Sequence, residues 1–230
     1  MKKLLVIECL IFLICTSSDA QFKYVFLKTL IGTSTFHSLE LQSKEHLESI
    51  ILLPNEPFDE IEAKNIILRI DSLPSSLLKE VVTHHIRMIL FSGSLTDVPL
   101  MEFLEGNTPR GYVNAATKWE DVSGAGKGNY VFVKIGASQT GNGHGSINLE
   151  LHELAHAIDR VVFDKIRERS DFQQIWLLES VLMFGNNQYY TGYPEEYFAE
   201  CFAYFYASEE SNQFLLEHAP LTYQYIKNLK

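Results

Sequence analysis

The sequence predicts an α+β fold with a small sheet between helical N- and C-terminal parts. Helical apolar periodicity fills residues 43–84, two short segments rich in β-branched and aromatic residues follow, and helical periodicity returns after residue 146. The chain has 230 residues, 46% of them hydrophobic, which suits one compact core. We find no internal repeat, low-complexity tract or long linker, so a single folded domain over 43–230 is predicted.

The first twenty residues have the layout of a secretory signal peptide. Two lysines at residues 2–3 precede an apolar run over 4–15 that only Glu8 interrupts. Small residues then predict signal-peptidase cleavage after Ala20. The run is too short for a stable membrane anchor, and no second long apolar segment follows. We therefore predict a secreted chain without a membrane span.

Charge and cysteine content narrow the function classes. The formal net charge of −10 argues against binding to nucleic acid or to anionic membranes. Cys9 and Cys15 leave with the signal, so Cys201 has no disulfide partner and is predicted to be a half-buried helix residue. Ile14 is bulky where a lipidation motif needs a small residue before Cys15, which argues against a lipid anchor.

Candidate N-cap residues and prolines predict where the helices up to residue 135 begin and end. Residues 21–42 have mixed character and predict a poorly ordered arm. Ser43 resembles an N-cap and Pro54 a stop for a helix. The segments up to residue 135 are then predicted as helix 43–53, helix 59–71, helix 75–84, strand 86–91 and strand 130–135.

The second half is predicted to be helical around two loops. Residues 136–145 form a polar, glycine-rich loop, and Ser146 is a candidate cap for the next helix. Pro194 suits the first turn of a later helix. The predicted order is helix 146–166, helix 171–183, a polar-aromatic loop 186–193, helix 194–206 and two further short helices.

The motif His152-Glu153-Leu154-Ala155-His156 indicates a metal-dependent peptidase. Histidines four apart share one helix face and can reach one zinc ion, and Glu153 can reach a water on that metal. So short a pattern also arises by chance. Zinc catalysis further needs a third protein ligand and an open position, so the rest of the sequence must supply that ligand.

Three carboxylates on the helix that begins at Pro194 are candidates for the third ligand. Glu196 and Glu200 are four apart and share a face, so one can bind zinc while the other orients a ligand. Glu195 is also a candidate, although an acidic residue at a helix start often only complements the helix dipole. The spacing alone leaves the choice open.

A phenol just before these carboxylates can stabilise the oxyanion of a tetrahedral intermediate. Tyr189, Tyr190 and Tyr193 all lie in this stretch. Spacing does not choose among them, and tyrosines in an aromatic-rich segment also serve packing.

The motif segments together resemble a known family. Residues 149–159 (LELHELAHAID) and 193–203 (YPEEYFAECFA) look like the secreted Pro-Pro endopeptidases, which are small relatives of the catalytic domain of anthrax lethal factor. Further segments agree in order over roughly residues 44 to 229, and these are 90–97 (LFSGSLTD), 109–111 (PRG), 118–124 (KWEDVSG), 143–149 (GHGSINL) and 219–226 (APLTYQYI).

The resemblance implies a zincin-like metalloprotease domain over 43–230 with one Zn²⁺. His152, His156 and Glu196 would be its ligands and Glu153 its general base. The resemblance further implies that Tyr189 stabilises the oxyanion and that Glu200 orients a ligand.

For the substrate groove the resemblance implies Trp119, His144 and Glu195. The sequence departs from the family pattern at Thr117, where some relatives have lysine, and at Ser123, where the pattern has proline. These departures concern the shape of the groove. We also expect the strand 130–135 to pair with an extended substrate.

The expected function is hydrolysis of peptide bonds in Pro-rich extracellular or cell-surface proteins, between two prolines. The alternatives are a secreted zinc peptidase of broader specificity and a non-catalytic binding module that keeps zinc for stability. The expected partners are extended Pro-rich peptide segments, and a monomer is the simplest oligomeric state.

Overall fold

The computed structural model describes residues 23–33, 36, 39–109 and 116–229. The predicted signal peptide at 1–20 and the cut after Ala20 lie outside these residues. No helix within the described ranges is both long and apolar enough to cross a membrane.

The sheet has five strands in the order β1-β2-β3-β5-β4. β2, β3 and β5 are parallel to one another, while β1 and β4 are antiparallel to their neighbours. β4 forms one edge and β5 lies between β3 and β4. The strand bounds are β1 Tyr24–Phe26, β2 Ile51–Pro54, β3 Arg87–Phe91, β4 Gly124–Lys127 and β5 Tyr130–Lys134.

Three predictions about the sheet need correction. Tyr24–Phe26 is a strand paired with β2, and not part of a poorly ordered arm. The helix predicted to reach residue 53 ends at Ile50, because Ile51–Pro54 pairs with both β1 and β3. β4 was not predicted, since the sequence Gly-Ala-Gly-Lys lacks the apolar alternation of a half-buried strand.

Most helices follow the sequence prediction, but α1 lies in the segment 21–42 that was predicted as a poorly ordered arm. Their bounds are α1 Leu27–Leu30, α2 Lys44–Ile50, α3 Glu60–Asp71, α4 Ser75–Thr83, α5 Leu149–Ala157, α6 Ser170–Phe184, α7 Gln188–Thr191, α8 Pro194–Ala207, α9 Glu209–His218 and α10 Pro220–Lys227.

The boundaries of α5 and α7 differ from the prediction. Asn148, and not Ser146, caps α5, and its side chain accepts a hydrogen bond from the Leu151 N–H at 3.0 Å. α5 ends at Ala157 in a π-helical turn, Ile158–Val162, where a helix to about residue 166 was expected. α7 is a short helix inside the predicted loop 186–193.

The sheet separates two apolar clusters. Met88, Leu90, Val131 and Val133 point to the main core, where α5 packs against β4, β5 and α8. Alternate residues of the same strands point to a smaller cluster on the other face, which comprises Ile89, Phe91, Leu95, Val98, Met101, Val122, Ala125 and Phe132. α5 is thus held between the sheet and α8. Cys201 on α8 is fully buried and not half-buried as predicted.

Candidate active site

Two histidines and one carboxylate meet between α5 and α8. His152 and His156, four apart on α5, present their Nε2 atoms 3.1 Å from each other. The Glu196 Oε2 atom lies 3.3 Å from His152 Nε2 and 3.1 Å from His156 Nε2. Ligand atoms of a tetrahedral zinc ion with bonds of about 2.0–2.1 Å stand about 3.3–3.4 Å apart, so the triangle fits one zinc ion.

This cluster is distinctive within the described ranges. There it is the only group of three or more His, Cys, Asp or Glu side chains whose ligand atoms lie within 4.8 Å of one another. Two of its members, His152 and Glu196, are buried and the third is half-buried. The structure thus brings together the three residues predicted as ligands, and among the three candidate carboxylates it places Glu196 at the triangle.

Glu200 contacts His152 at Nδ1, the ring nitrogen that faces away from the triangle. Its Oε2 atom lies 2.9 Å from His152 Nδ1, and its Oε1 atom accepts a hydrogen bond from the Ile147 N–H at 2.8 Å. Both contacts are buried or nearly so, with Glu200 only 2% exposed. A carboxylate on Nδ1 fixes the ring orientation and leaves Nε2 free to bind a metal.

The histidines and Glu196 shift one another's pKa values. Burial opposes the charged form of His152, but the hydrogen bonds that its ring donates to Glu196 and Glu200 outweigh burial and raise its pKa to about 10. Burial likewise opposes ionisation of Glu196, yet the two histidines hold its pKa well below the usual range. Metal binding requires neutral imidazole nitrogen, so a metal ion that enters must displace a proton.

Glu153 lies directly under the edge strand. A Cβ built on Gly124 would stand 2.7 Å from Glu153 Oε1 and 2.8 Å from Glu153 Cγ. The carboxyl group is buried enough to raise its pKa, although His156 and His152 act in the opposite direction. A base with a raised pKa is suited to accept a proton near neutral pH and to return it.

The close approach at Gly124 gives a testable prediction. Gly124→Ala should lower kcat by about 10-fold to 100-fold, because the added methyl group displaces Glu153 and a shift of about 1 Å is enough for such a loss. Metal content should not change. Gly145→Ala is the matched control, since a Cβ there meets nothing within 4 Å. Steady-state kinetics and metal analysis of both variants check the prediction, and equal kcat values would contradict it.

Of the three candidate tyrosines, Tyr189 reaches the cluster. Burial, the charge of Glu196 and a hydrogen bond to Glu196 raise the pKa of its phenol far above the usual range, and Glu153 adds to this. Tyr190 is buried, and its ring packs 4.3 Å from that of Phe184. Tyr193 lies beside Tyr189, with ring centres 6.4 Å apart.

His144 holds its own loop. Its Nδ1 atom lies 2.7 Å from Ser146 Oγ and its Nε2 atom 2.6 Å from the Ala137 carbonyl oxygen. Burial lowers its pKa, and the hydrogen bond to Ala137 partly offsets this. Both ring nitrogens are therefore engaged within the loop, and His144 shapes the loop.

The other two predicted groove residues, Trp119 and Glu195, lie on separate elements. Trp119 forms a short 3-10 turn, Trp119–Asp121, and packs against the smaller apolar cluster. Glu195 is half-buried in the first turn of α8, directly before Glu196.

Ser123, at the position where the resemblance implies proline, links the segment before β4 to the glycine-rich loop 136–145. Its buried hydroxyl donates to the Asn142 carbonyl oxygen at 2.7 Å, which proline cannot do. A Cβ on Gly143 would stand 2.3 Å from this hydroxyl oxygen. The glycine-rich loop is thus hydrogen-bonded to the residue directly before β4.

The predicted substrate-pairing strand does not agree with the structure. β5 has a neighbour on each side, so the strand available to an extended peptide is β4 and not the predicted 130–135. Asp159, three residues after His156, is fully buried and accepts hydrogen bonds from the backbone N–H and the guanidinium of Arg167.

Sequence reasoning also missed Gly124 and Arg160. Arg160 lies beside β4, and its Nη2 atom donates to the Gly128 carbonyl oxygen at 2.7 Å. The signal available was the pattern Gly-x-Gly-x-Gly at 124–128, which marks a backbone that something approaches closely.

Comparison with known proteins identifies the family of the chain. The family described as "Anthrax toxin lethal factor, N- and C-terminal domain" matches residues 38–229. The Pro-Pro endopeptidase of Clostridioides difficile (strain 630) is 38% identical over 188 residues, which cover 82% of this chain and 84% of the relative. The Pro-Pro endopeptidase of Paenibacillus alvei is 32% identical over 188 residues, which cover 82% of this chain and 86% of the relative.

A solved structure extends the likeness to three dimensions. The structure of the Pro-Pro endopeptidase from Paenibacillus alvei superposes with a TM-score of 0.77 at 32% identity, over 80% of this chain and 100% of that one. The α+β fold predicted from the sequence is thereby confirmed. The chain belongs to the lethal factor-like family and, within it, to the Pro-Pro endopeptidases, and it is a peptidase.

Proposed function

We propose that this chain is a secreted zinc endopeptidase that hydrolyses the bond between two prolines in extended Pro-rich segments of extracellular proteins. The observation that carries the zinc chemistry is the triangle of His152, His156 and Glu196 with sides of 3.1–3.3 Å. The Pro-Pro preference is supported by the relatives that bear that name. Export is supported by the signal-like residues 1–20.

His152, His156 and Glu196 hold the zinc ion in this proposal, and Glu200 orients His152. When bound, zinc acts as a Lewis acid on the scissile carbonyl and lowers the pKa of a coordinated water. Glu153 accepts the proton of the attacking water and passes it to the leaving nitrogen. Glu153 is suited to both transfers because burial raises its pKa.

Tyr189 donates a hydrogen bond to the oxyanion. Burial and the charge of Glu196 raise the pKa of its phenol, so the proton stays on the oxygen at neutral pH. A fixed donor at this point stabilises charge that develops only in the transition state.

The edge strand β4 guides the substrate backbone. Gly124 brings the strand into contact with Glu153, so a peptide paired with β4 passes over the base. Proline has no N–H to donate, so a Pro-Pro segment must rely on flanking residues for its hydrogen bonds and on shape at the prolines. Trp119 and Glu195 line this groove in our proposal, and His144 fixes the loop beside it.

Removal of the Tyr189 hydroxyl tests its role. Tyr189→Phe should lower kcat about 10²-fold to 10³-fold, the usual cost of one oxyanion donor, with little change in KM. The nearby Tyr193→Phe is the matched control and should keep kcat. Equal kcat values for wild type and Tyr189→Phe would remove Tyr189 from the mechanism.

The proline rule is tested with four quenched fluorescent peptides that differ only at the central pair: Pro-Pro, Pro-Ala, Ala-Pro and Ala-Ala. We expect efficient cleavage of the first alone, and mass spectrometry should place the cut between the prolines. Equal cleavage of all four would instead establish a peptidase of broad specificity.

We also propose that the secreted protein is a monomer, as the simplest state for one compact domain. Light scattering of the purified protein should give one chain's mass. A stable dimer mass would overturn this point and leave the proposed chemistry unaffected.

A further inference from the structure

Arg160 lies in the π-helical turn Ile158–Val162 and points its guanidinium at the edge strand. A Cβ built on Gly126 would stand 3.5 Å from Arg160 Nη2 and 3.8 Å from Nη1. The guanidinium thus occupies the side of β4 where residue 126 has no side chain. Among the described residues, the Nη2 atom of Arg160 donates a hydrogen bond to the Gly128 carbonyl oxygen at 2.7 Å.

Gly124 and Gly126 face the same side of β4, because side chains alternate along a strand. The side that they share is the one that holds Glu153 and Arg160. Ala125, between them, packs in the smaller cluster on the opposite face. The catalytic base and the guanidinium therefore lie along one face of the edge strand, two residues or about 7 Å apart.

A peptide that adds to β4 in antiparallel pairing runs opposite to it. Residues across from each other then project to the same face of the sheet. If the reacting bond lies at Gly124 beside Glu153, the peptide residue across from Gly126 belongs to the N-terminal side of that bond. Its side chain points towards Arg160.

The Arg160 guanidinium has N–H donors that could bind a carboxylate of the substrate. A guanidinium has five N–H donors, and one is engaged by Gly128. Burial and the nearby Arg167 lower the pKa of Arg160, while Asp159 and Glu153 partly offset this. Asp159 is already bound by Arg167, and Glu153 is required for proton transfer. Lys127, a cation on β4 itself, donates to the Leu100 carbonyl oxygen at 3.0 Å on the opposite face of the strand.

We propose that Arg160 is a specificity-determining residue that recognises an acidic side chain on the N-terminal side of the scissile bond. The proposal rests on the proposed function, because it needs a peptide paired with β4. Arginine matches a carboxylate in two parallel hydrogen bonds, and the missing side chain at Gly126 leaves room for the approach. The preferred substrate is then an extended Pro-Pro segment preceded by Asp or Glu.

The test compares peptides that carry Glu or Gln in turn at each of the three positions before the Pro-Pro pair. Wild type should prefer Glu about 5-fold to 20-fold in kcat/KM at one position, mainly through KM, and salt should reduce the preference. Arg160→Gln should bring the Glu/Gln ratio close to one. Since the ratio is taken within one variant, any change in Glu153 basicity cancels.

Three further variants sharpen the test. Arg160→Lys keeps the charge without the paired hydrogen bonds and should retain part of the preference, even if Arg160→Gln fails to fold. Arg160→Glu should favour a Lys peptide over the Glu peptide. Lys127→Gln is the matched control, since it removes a cation from the opposite face of β4, and its ratio should equal that of wild type.

A ratio near one at every position in wild type would overturn the inference, as would an unchanged ratio in Arg160→Gln. In either case, cleavage of the neutral Gln peptide between its prolines would leave the proposed function standing. Failure to cleave any Pro-Pro peptide would overturn the proposed function and this inference with it.

Discussion

Glu153→Gln should lower kcat by about 10²-fold to 10⁴-fold while the zinc content stays at the wild-type level, because an amide cannot accept the proton of the attacking water. The two groups have nearly the same shape, so the contact with Gly124 should survive. Turnover of a Pro-Pro peptide and metal analysis of the same preparation measure both quantities.

Glu150→Gln is not a suitable control for this variant, because Glu150 is fully buried and binds Arg69 at 2.6 Å. Exposed Glu210 on α9 is better, and Glu210→Gln should match wild type in both measurements. Unchanged turnover in Glu153→Gln would remove the proposed mechanism. A loss of zinc together with activity would show that the variant disturbed the metal site and not the base alone.

Glu196→Ala should abolish stoichiometric zinc binding, because it leaves only two protein ligands where catalytic zinc has three. Activity should fall to the background level at ordinary zinc concentrations. Loss of the carboxylate also leaves His152 and His156 buried or half-buried without their shared partner, so the metal-free protein should lose stability by about 1–3 kcal/mol.

Glu200→Gln should have a smaller effect than Glu196→Ala. Glu200 contacts the ring of His152 and not the metal position, and such partners change metal affinity or activity by about 10-fold to 100-fold. Competition with a zinc chelator ranks the variants. Equal zinc affinity in wild type and Glu196→Ala would exclude Glu196 as a ligand.

Part of the candidate metal site could be predicted because metal ligands on one helix need fixed spacings. The shared helix face of His152 and His156 follows from their four-residue spacing. Spacing left Glu195, Glu196 and Glu200 open, since all three occupy the start of one helix and only its packing against α5 decides which carboxylate points inward. The same limit applied to Tyr189, Tyr190 and Tyr193, which differ in where the short helix α7 directs each ring.

The edge of the sheet could not be predicted for a different reason. β4 is a strand because β5 pairs with it, although its own residues, Gly-Ala-Gly-Lys, have low strand propensity. Gly124 permits the close approach of Glu153, and a glycine at this position also removes the side-chain pattern from which a strand is predicted. Tyr24–Phe26 was likewise assigned to an arm because its strand depends on distant pairing with β2.

The central claim is that one zinc ion at His152, His156 and Glu196 drives hydrolysis between two prolines. Zinc titration of metal-stripped protein, with a Pro-Pro peptide as substrate and mass spectrometry of the products, tests it most directly. We predict that activity is absent without metal, rises in proportion to added zinc up to one equivalent per chain, and yields fragments that end and begin with proline. Full activity in the stripped protein, or cleavage at another bond, would contradict the claim.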